Sequence, residues 1–130
     1  VPTFDDAHVV VTGGSSGIGL ATARLAIDRG ARVSLVARRR DVLDEAAATL
    51  RSIGGQVAVA AADVADAAQV GTAIASLTAA LGPVDVAICS AGQARPGYFE
   101  QLDPSVFHQM MDVNYFGTVN VVRAVVPTMI

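Results

Sequence analysis

Short runs of aliphatic residues alternate along this chain with longer stretches in which apolar residues recur every three or four positions. The first kind suits buried strands; the second suits helices with one apolar stripe. Strands are predicted at residues 8–12, 32–37, 56–62 and 84–88, and helices at 17–29, 41–53 and 66–81. Gly30, Gly54-Gly55 and Gly82-Pro83 stand where these helices should stop. A loop over 90–102 leads to Asp103, which caps a last helix with Pro104 in its first turn. That helix is predicted to run through Asn114 to about residue 127. The strands are continuous blocks of small aliphatic residues, as in a parallel sheet covered on both faces. Strands and helices alternating through short connections imply right-handed crossovers. The predicted fold is α/β, a doubly wound parallel sheet of strand order 3-2-1-4, in one domain over residues 1–130.

Composition sharpens this picture in a few places. The chain is 52% hydrophobic but only 5% aromatic, so its core is built of Ala, Val, Leu and Ile. A net charge of −3 argues against a nucleic-acid partner, which needs a basic face. The single cysteine, Cys89, cannot form an internal disulfide and fits a reducing cytoplasm, the expected location. It ends a buried strand with no basic neighbour in sequence, and is expected to be an inert packing thiol. No apolar run is long enough to span a bilayer, and no signal-peptide pattern opens the chain. An anchor upstream of Val1 stays open, because the sequence starts without methionine. His8 and His108 lack partners at metal-ligand spacing, so no metal site is expected.

The chemistry is concentrated at the strand ends. The run from His8 to Gly19 is a strand, a glycine-rich turn and the start of a helix, in that order. Glycines let a backbone approach phosphates closely, and a helix N-terminus offers unpaired N–H groups and a positive dipole end. Gly13, Ser15, Ser16, Gly17, Ile18 and Gly19 are therefore candidates for holding a nucleotide pyrophosphate. In a doubly wound sheet the turns after all four strands reach one edge, where ligands bind. The turn after the second strand carries Ala37 and Arg38, where an NAD site usually places a carboxylate for the ribose hydroxyls. A guanidinium clasps a 2′-phosphate, so NADP(H) is favoured over NAD(H), with the Ser16 hydroxyl as a helper. The alternative is that Arg38, Arg39 and Arg40 merely solvate the start of a helix. Asp63 has two readings: an acceptor for the adenine amino group, with Val64 against the ring, or a cap for the next helix. Ala91 and Gly92, after the fourth strand, complete the set.

These residues resemble the short-chain dehydrogenases/reductases. The run from Thr12 to Gly19 is similar to that family's Thr-Gly-x-x-x-Gly-x-Gly cofactor motif, and Asp63-Val64 to its adenine-contacting pair. Ser90-Ala91-Gly92 resembles the end of its Asn-Asn-Ala-Gly motif, but Cys89 and Ser90 replace the two asparagines, leaving the strand-tethering bonds of that motif without their usual donors. Asn114 matches the asparagine of the catalytic tetrad, where it would help hold a proton-relay water and steady the bend of its helix; the alternative is a buried polar residue satisfied by backbone groups in a kinked helix. Residues 33–38, 82–85, 91–99 and 114–126 look most like 3-ketodihydrosphingosine reductases, which are NADPH-dependent.

The resemblance implies a Rossmann-like fold and hydride transfer between a nicotinamide cofactor and a ketone or secondary alcohol, such as a 3-ketosphingoid or another long-chain keto-lipid. It also implies association of copies through the long C-terminal helix. The family's chemistry needs a tyrosine with a lysine four residues later, and a serine. All nine basic residues here are arginines, and Tyr98 and Tyr115 are followed four positions on by Leu102 and Val119. The resemblance thus implies the N-terminal half of a longer catalytic domain, with the missing residues beyond Ile130, and predicts no turnover by these 130 residues alone. The competing expectation is a nucleotide-binding module without chemistry, or a truncated product.

Overall fold

A computed structural model describes residues 3–130. Four strands, β1 (His8–Thr12), β2 (Arg32–Ala37), β3 (Val57–Ala61) and β4 (Val86–Cys89), form one sheet. All the pairings are parallel and the order is β3-β2-β1-β4, as predicted. The helices are α1 (Gly17–Asp28), α2 (Arg40–Ser52), α3 (Ala67–Leu81), α4 (Pro104–Met111) and α5 (Gly117–Met129).

Because side chains alternate along a strand, each strand feeds two cores. Val9 and Val11 of β1, with Val33 and Leu35 of β2, pack against Ala23 and Ala26 of α1 and Leu43, Ala47 and Leu50 of α2. Val10 and Val36, on the other face, pack against Val70, Ile74 and Leu77 of α3 and Val121 and Val125 of α5. Helices on both faces explain why β1 is buried along its whole length and carries no polar alternation.

One fully buried polar pair interrupts the second face. His8 and Ser34 are inaccessible to solvent, and their side chains meet at 2.7 Å between Nε2 and Oγ. The other ring nitrogen, Nδ1, lies 2.8 Å from the Gly82 carbonyl. A carbonyl can only accept, so Nδ1 carries the proton and Nε2 accepts from Ser34. His8 is thus a structural residue that ties the end of α3 to β1 and β2, and it has no role at the opposite, ligand-binding edge of the sheet.

The long last helix departs from its predicted form. Between α4 and α5, residues Asp112–Phe116 form a π-helical turn, with Asn114 at its centre. β4 also runs from Val86 to Cys89, about one residue beyond its predicted C-terminal end. No helix among the described residues is long and apolar enough to cross a membrane.

Candidate functional site

The carboxyl ends of the four strands open into a cleft of about 470 Å³, lined by the turns that follow each strand. Gly13, Ser15, Ser16, Ile18, Gly19, Arg38, Asp63, Val64, Ala91 and Gly92 all border it. Of the sequence-derived candidates, Gly17 and Asn114 do not line it.

The glycines of the first turn divide by role. A Cβ on Gly13 would lie 2.8 Å from the Ala91 nitrogen, so this turn packs tightly on the turn after β4. A Cβ on Gly19 would collide with the Gly13 carbonyl and lie 2.6 Å from Ser90 Oγ. These two glycines let three backbone segments approach one another. Gly17 has φ of +55°, and nothing lies within 4 Å of where its Cβ would stand, so its requirement is the left-handed backbone that starts α1.

Around them stands a set of unengaged donors. α1 has no side-chain cap and no acidic residue in its first turn, which leaves the positive end of its dipole uncompensated. Among the described residues, the Ser15 and Ser16 hydroxyls make no hydrogen bond. The three consecutive arginines are not equivalent. Arg39 bonds to Asp41 at 2.8 Å and holds that carboxyl below its ordinary range, while Arg40 pairs with Asp44 at 3.0 Å. Arg38 lines the cleft and has no ion-pair partner among the described residues. This donor set, with Asp63 as the one carboxylate bordering the cleft, fits a phosphate-bearing dinucleotide.

Asp63 is not the cap of α3. That role belongs to Asp66, whose carboxylate accepts from the Gln69 nitrogen, while Asp63 Oδ1 accepts from Ala65 at 3.0 Å within the turn. Val64 is only 6% exposed. Its side chain sits where a Cβ on Gly117 would be 2.7 Å away, and its carbonyl accepts from Asn120 at 2.8 Å. Helix α5 therefore clamps this turn from below.

Thr12 and Asn114 hold the turn after β4, and neither partner can be read from sequence spacing. Ser90 Oγ donates to the Thr12 carbonyl at 2.5 Å, and the Ala91 nitrogen reaches Thr12 Oγ1 at 3.4 Å. A strand tether is thus present although both motif asparagines are replaced. Asn114 Oδ1 accepts from the Gln93 nitrogen at 2.7 Å, and its Nδ2 donates to the Gln93 carbonyl at 2.8 Å. The π-helical turn brings this amide to the loop, so Asn114 positions the cleft wall from behind. Cys89 lies just before the turn with its thiol pushed up by burial, in keeping with an inert packing role. No group of three or more metal-ligating side chains occurs among the described residues.

Comparison with known proteins adds to this geometry. A family profile described as short chain dehydrogenase matches residues 7–130. The chain is 42% identical over 128 residues to 3-ketodihydrosphingosine reductase of Bos taurus, covering 95% of this chain and 39% of that protein. It is similar to the crystal structure of L-sorbose reductase from Gluconobacter frateurii complexed with NADPH and L-sorbose, with a TM-score of 0.90 and 32% identity over 96% of this chain and 48% of that one. It also resembles a short chain dehydrogenase/reductase from Burkholderia phymatum in complex with NAD, with a TM-score of 0.94 and 28% identity over 99% of this chain and 46% of that one. The chain therefore spans less than half the length of these relatives. Its sheet order, its glycine turn at the end of β1 and the profile match across both place it in the short-chain dehydrogenase/reductase family.

Proposed function

We propose that the chain forms the cofactor-binding half of an NADP(H)-dependent oxidoreductase that interconverts a ketone and a secondary alcohol. The carrying observation is the unpaired Arg38 guanidinium at the end of β2, beside two arginines that are paired. Among neighbouring side chains of the same type, it is the one available to a 2′-phosphate. The first turn of α1, with Ser15 and Ser16, holds the pyrophosphate; Asp63 accepts from the adenine edge, and Ala91 and Gly92 border the other end. A bound nicotinamide cofactor supplies or accepts the hydride. The protein's part is to bind, orient and keep the turns fixed, with Asn114 holding the Gln93 backbone in place.

The relatives named as 3-ketodihydrosphingosine reductases support a long-chain keto-lipid as substrate class. Exposed Met111 of α4, Tyr115 of the π-helical turn, and Val122, Val126 and Met129 of α5 support association with a second copy through this face. The competing reading, a nucleotide-binding module without chemistry, is favoured by the lack of any lysine in the 130 residues. Affinity for NADPH against NADH tests the cofactor reading, and a Tyr-x-x-x-Lys segment following Ile130 in the natural gene product would decide for the enzyme over the module. Equal affinities would remove the Arg38 argument. The 130-residue chain is expected to bind without turnover, because it contains no Tyr-x-x-x-Lys pair to donate a proton to the developing alkoxide.

A further inference from the structure

One peptide unit in the turn after β3 is held at both ends. Its nitrogen, on Ala65, donates to Asp63 Oδ1 at 3.0 Å, and its oxygen, on Val64, accepts from Asn120 Nδ2 at 2.8 Å. Asn120 stands on α5, 56 residues away in sequence. A carbonyl can only accept, so the Asn120 amide has one usable orientation, with its nitrogen toward Val64. Among the described residues no other donor reaches this carbonyl. Val64 is buried, and its side chain packs where α5 passes closest, at Gly117. Loss of Asn120 would leave that carbonyl without a partner and free the peptide to turn.

The direction of this peptide matters because of its other end. A peptide unit is planar, so the direction of the Val64 carbonyl sets the direction of the Ala65 N–H. That N–H engages one oxygen of Asp63 and leaves Oδ2 without a partner among the described residues. Asp63 borders the cleft, whereas Asn120 does not. The Asp63 backbone is held from a different side. Its nitrogen donates to Gln69 Oε1 at 2.9 Å, and its carbonyl accepts from the Asp66 nitrogen at 3.0 Å. The main chain of Asp63 is thus fixed from the start of α3, while the aim of its carboxylate depends on the next peptide and, through it, on α5. A hydrogen bond to the carbonyl also polarises the N–H of the same peptide, so the two bonds reinforce each other.

We infer that Asn120 is a positioning residue for the adenine end of the cofactor: acting through the Val64–Ala65 peptide, it aims the Asp63 carboxylate at the adenine amino group. This inference rests on the reading of Asp63 given above. It adds that α5 sets the selectivity for the base without touching the ligand. Asn114 and Asn120 then grip the turns at the two ends of the sheet, after β4 and after β3, from one helical stretch.

The test compares NADP⁺ with its hypoxanthine analogue, which carries an oxygen in place of the adenine amino group. Both are titrated calorimetrically into the wild type, Asn120→Ala and Asn120→Asp. The aspartate keeps the size of the side chain and exchanges the donor for an acceptor, so it decides where the alanine variant fails to fold. The wild type is expected to prefer NADP⁺ by roughly tenfold, as for one charge-assisted hydrogen bond. The variants should show a preference of about twofold or less, through weaker NADP⁺ binding alone. Unchanged affinity for the analogue shows that the cleft is intact. A folded variant that keeps the wild-type preference, an equal loss for both ligands, or failure of both variants to fold overturns the role of Asn120. A wild type without preference overturns the Asp63 reading, and one that binds neither ligand overturns the dinucleotide reading; either takes this inference with it.

Discussion

The Ser90 hydroxyl donates to the Thr12 carbonyl across a 2.5 Å gap, joining the end of β4 to the end of β1 where the glycine turn begins. The same hydroxyl lies 2.6 Å from where a Cβ on Gly19 would stand, so one serine touches the strand tether and the helix start together. The separation of 78 residues in sequence makes this a contact of the folded state only.

Ser90→Ala should therefore loosen the turn after β4. The Thr12 carbonyl keeps its bond from the Ser90 nitrogen at 3.2 Å, so it is not orphaned. The expected loss is about 1 kcal/mol, the net value of one hydrogen bond. Urea denaturation of the variant checks this; a loss near zero would mean that the backbone bond alone tethers the strands.

Gly17 and Gly19 should respond differently to alanine. At Gly17 the only penalty is a left-handed backbone, about 1 kcal/mol, because nothing crowds the added carbon. At Gly19 the added carbon meets the Gly13 carbonyl and Ser90, and the cost should be on the order of 3 kcal/mol. Thermal melts of the two variants give the order. Equal melting temperatures would contradict the division of roles between them.

Arg38→Ala combined with Ala37→Asp removes the unpaired guanidinium and places a carboxylate at the end of β2. NADP(H) affinity should fall at least tenfold, about 1.4 kcal/mol, while NAD(H) affinity holds or improves. Arg40→Ala, which removes a side chain paired to Asp44, should leave both unchanged. Fluorescence titration with each cofactor makes the comparison, and equal losses for the two would count against Arg38.

His8 should make the fold acid-sensitive. Burial, helped by the nearby Arg32 charge, lowers its pKa below the ordinary 6.5 despite the Gly82 carbonyl and Asp85. The unfolded chain therefore binds a proton that the folded chain refuses, so stability rises with pH across this interval. It should fall as pH drops below about 6.5 and keep falling down to the depressed folded value. Melting temperatures at pH 7.5 and 5.5 should differ more for the wild type than for His8→Gln. If the two proteins show the same pH dependence, His8 is not the source.

The order of strands and helices was legible because it rests on local signals: aliphatic blocks, apolar residues at helical spacing, and glycines at the stops. The glycine turn at the end of β1 and Arg38 at the end of β2 were placed by the same logic, since strand ends in a doubly wound sheet share one edge. A bend of the last helix at Asn114 was legible from the family resemblance, but its π-helical form was not. Met111 and Gly117 flank the π-helical turn with ordinary helical backbone angles, and the run from Asp112 to Phe116 contains neither glycine nor proline to mark a break.

Only the tertiary structure decided which of three consecutive arginines was left unpaired, that Asp66 rather than Asp63 caps α3, and that Ser90 replaces a motif asparagine as tether. It also brought Asn114 to the Gln93 backbone, 21 residues away. Periodicity and turn chemistry report each residue's relation to its own element. Which side chains meet across elements depends on how the sheet and helices pack, and that is settled only when distant segments share a surface.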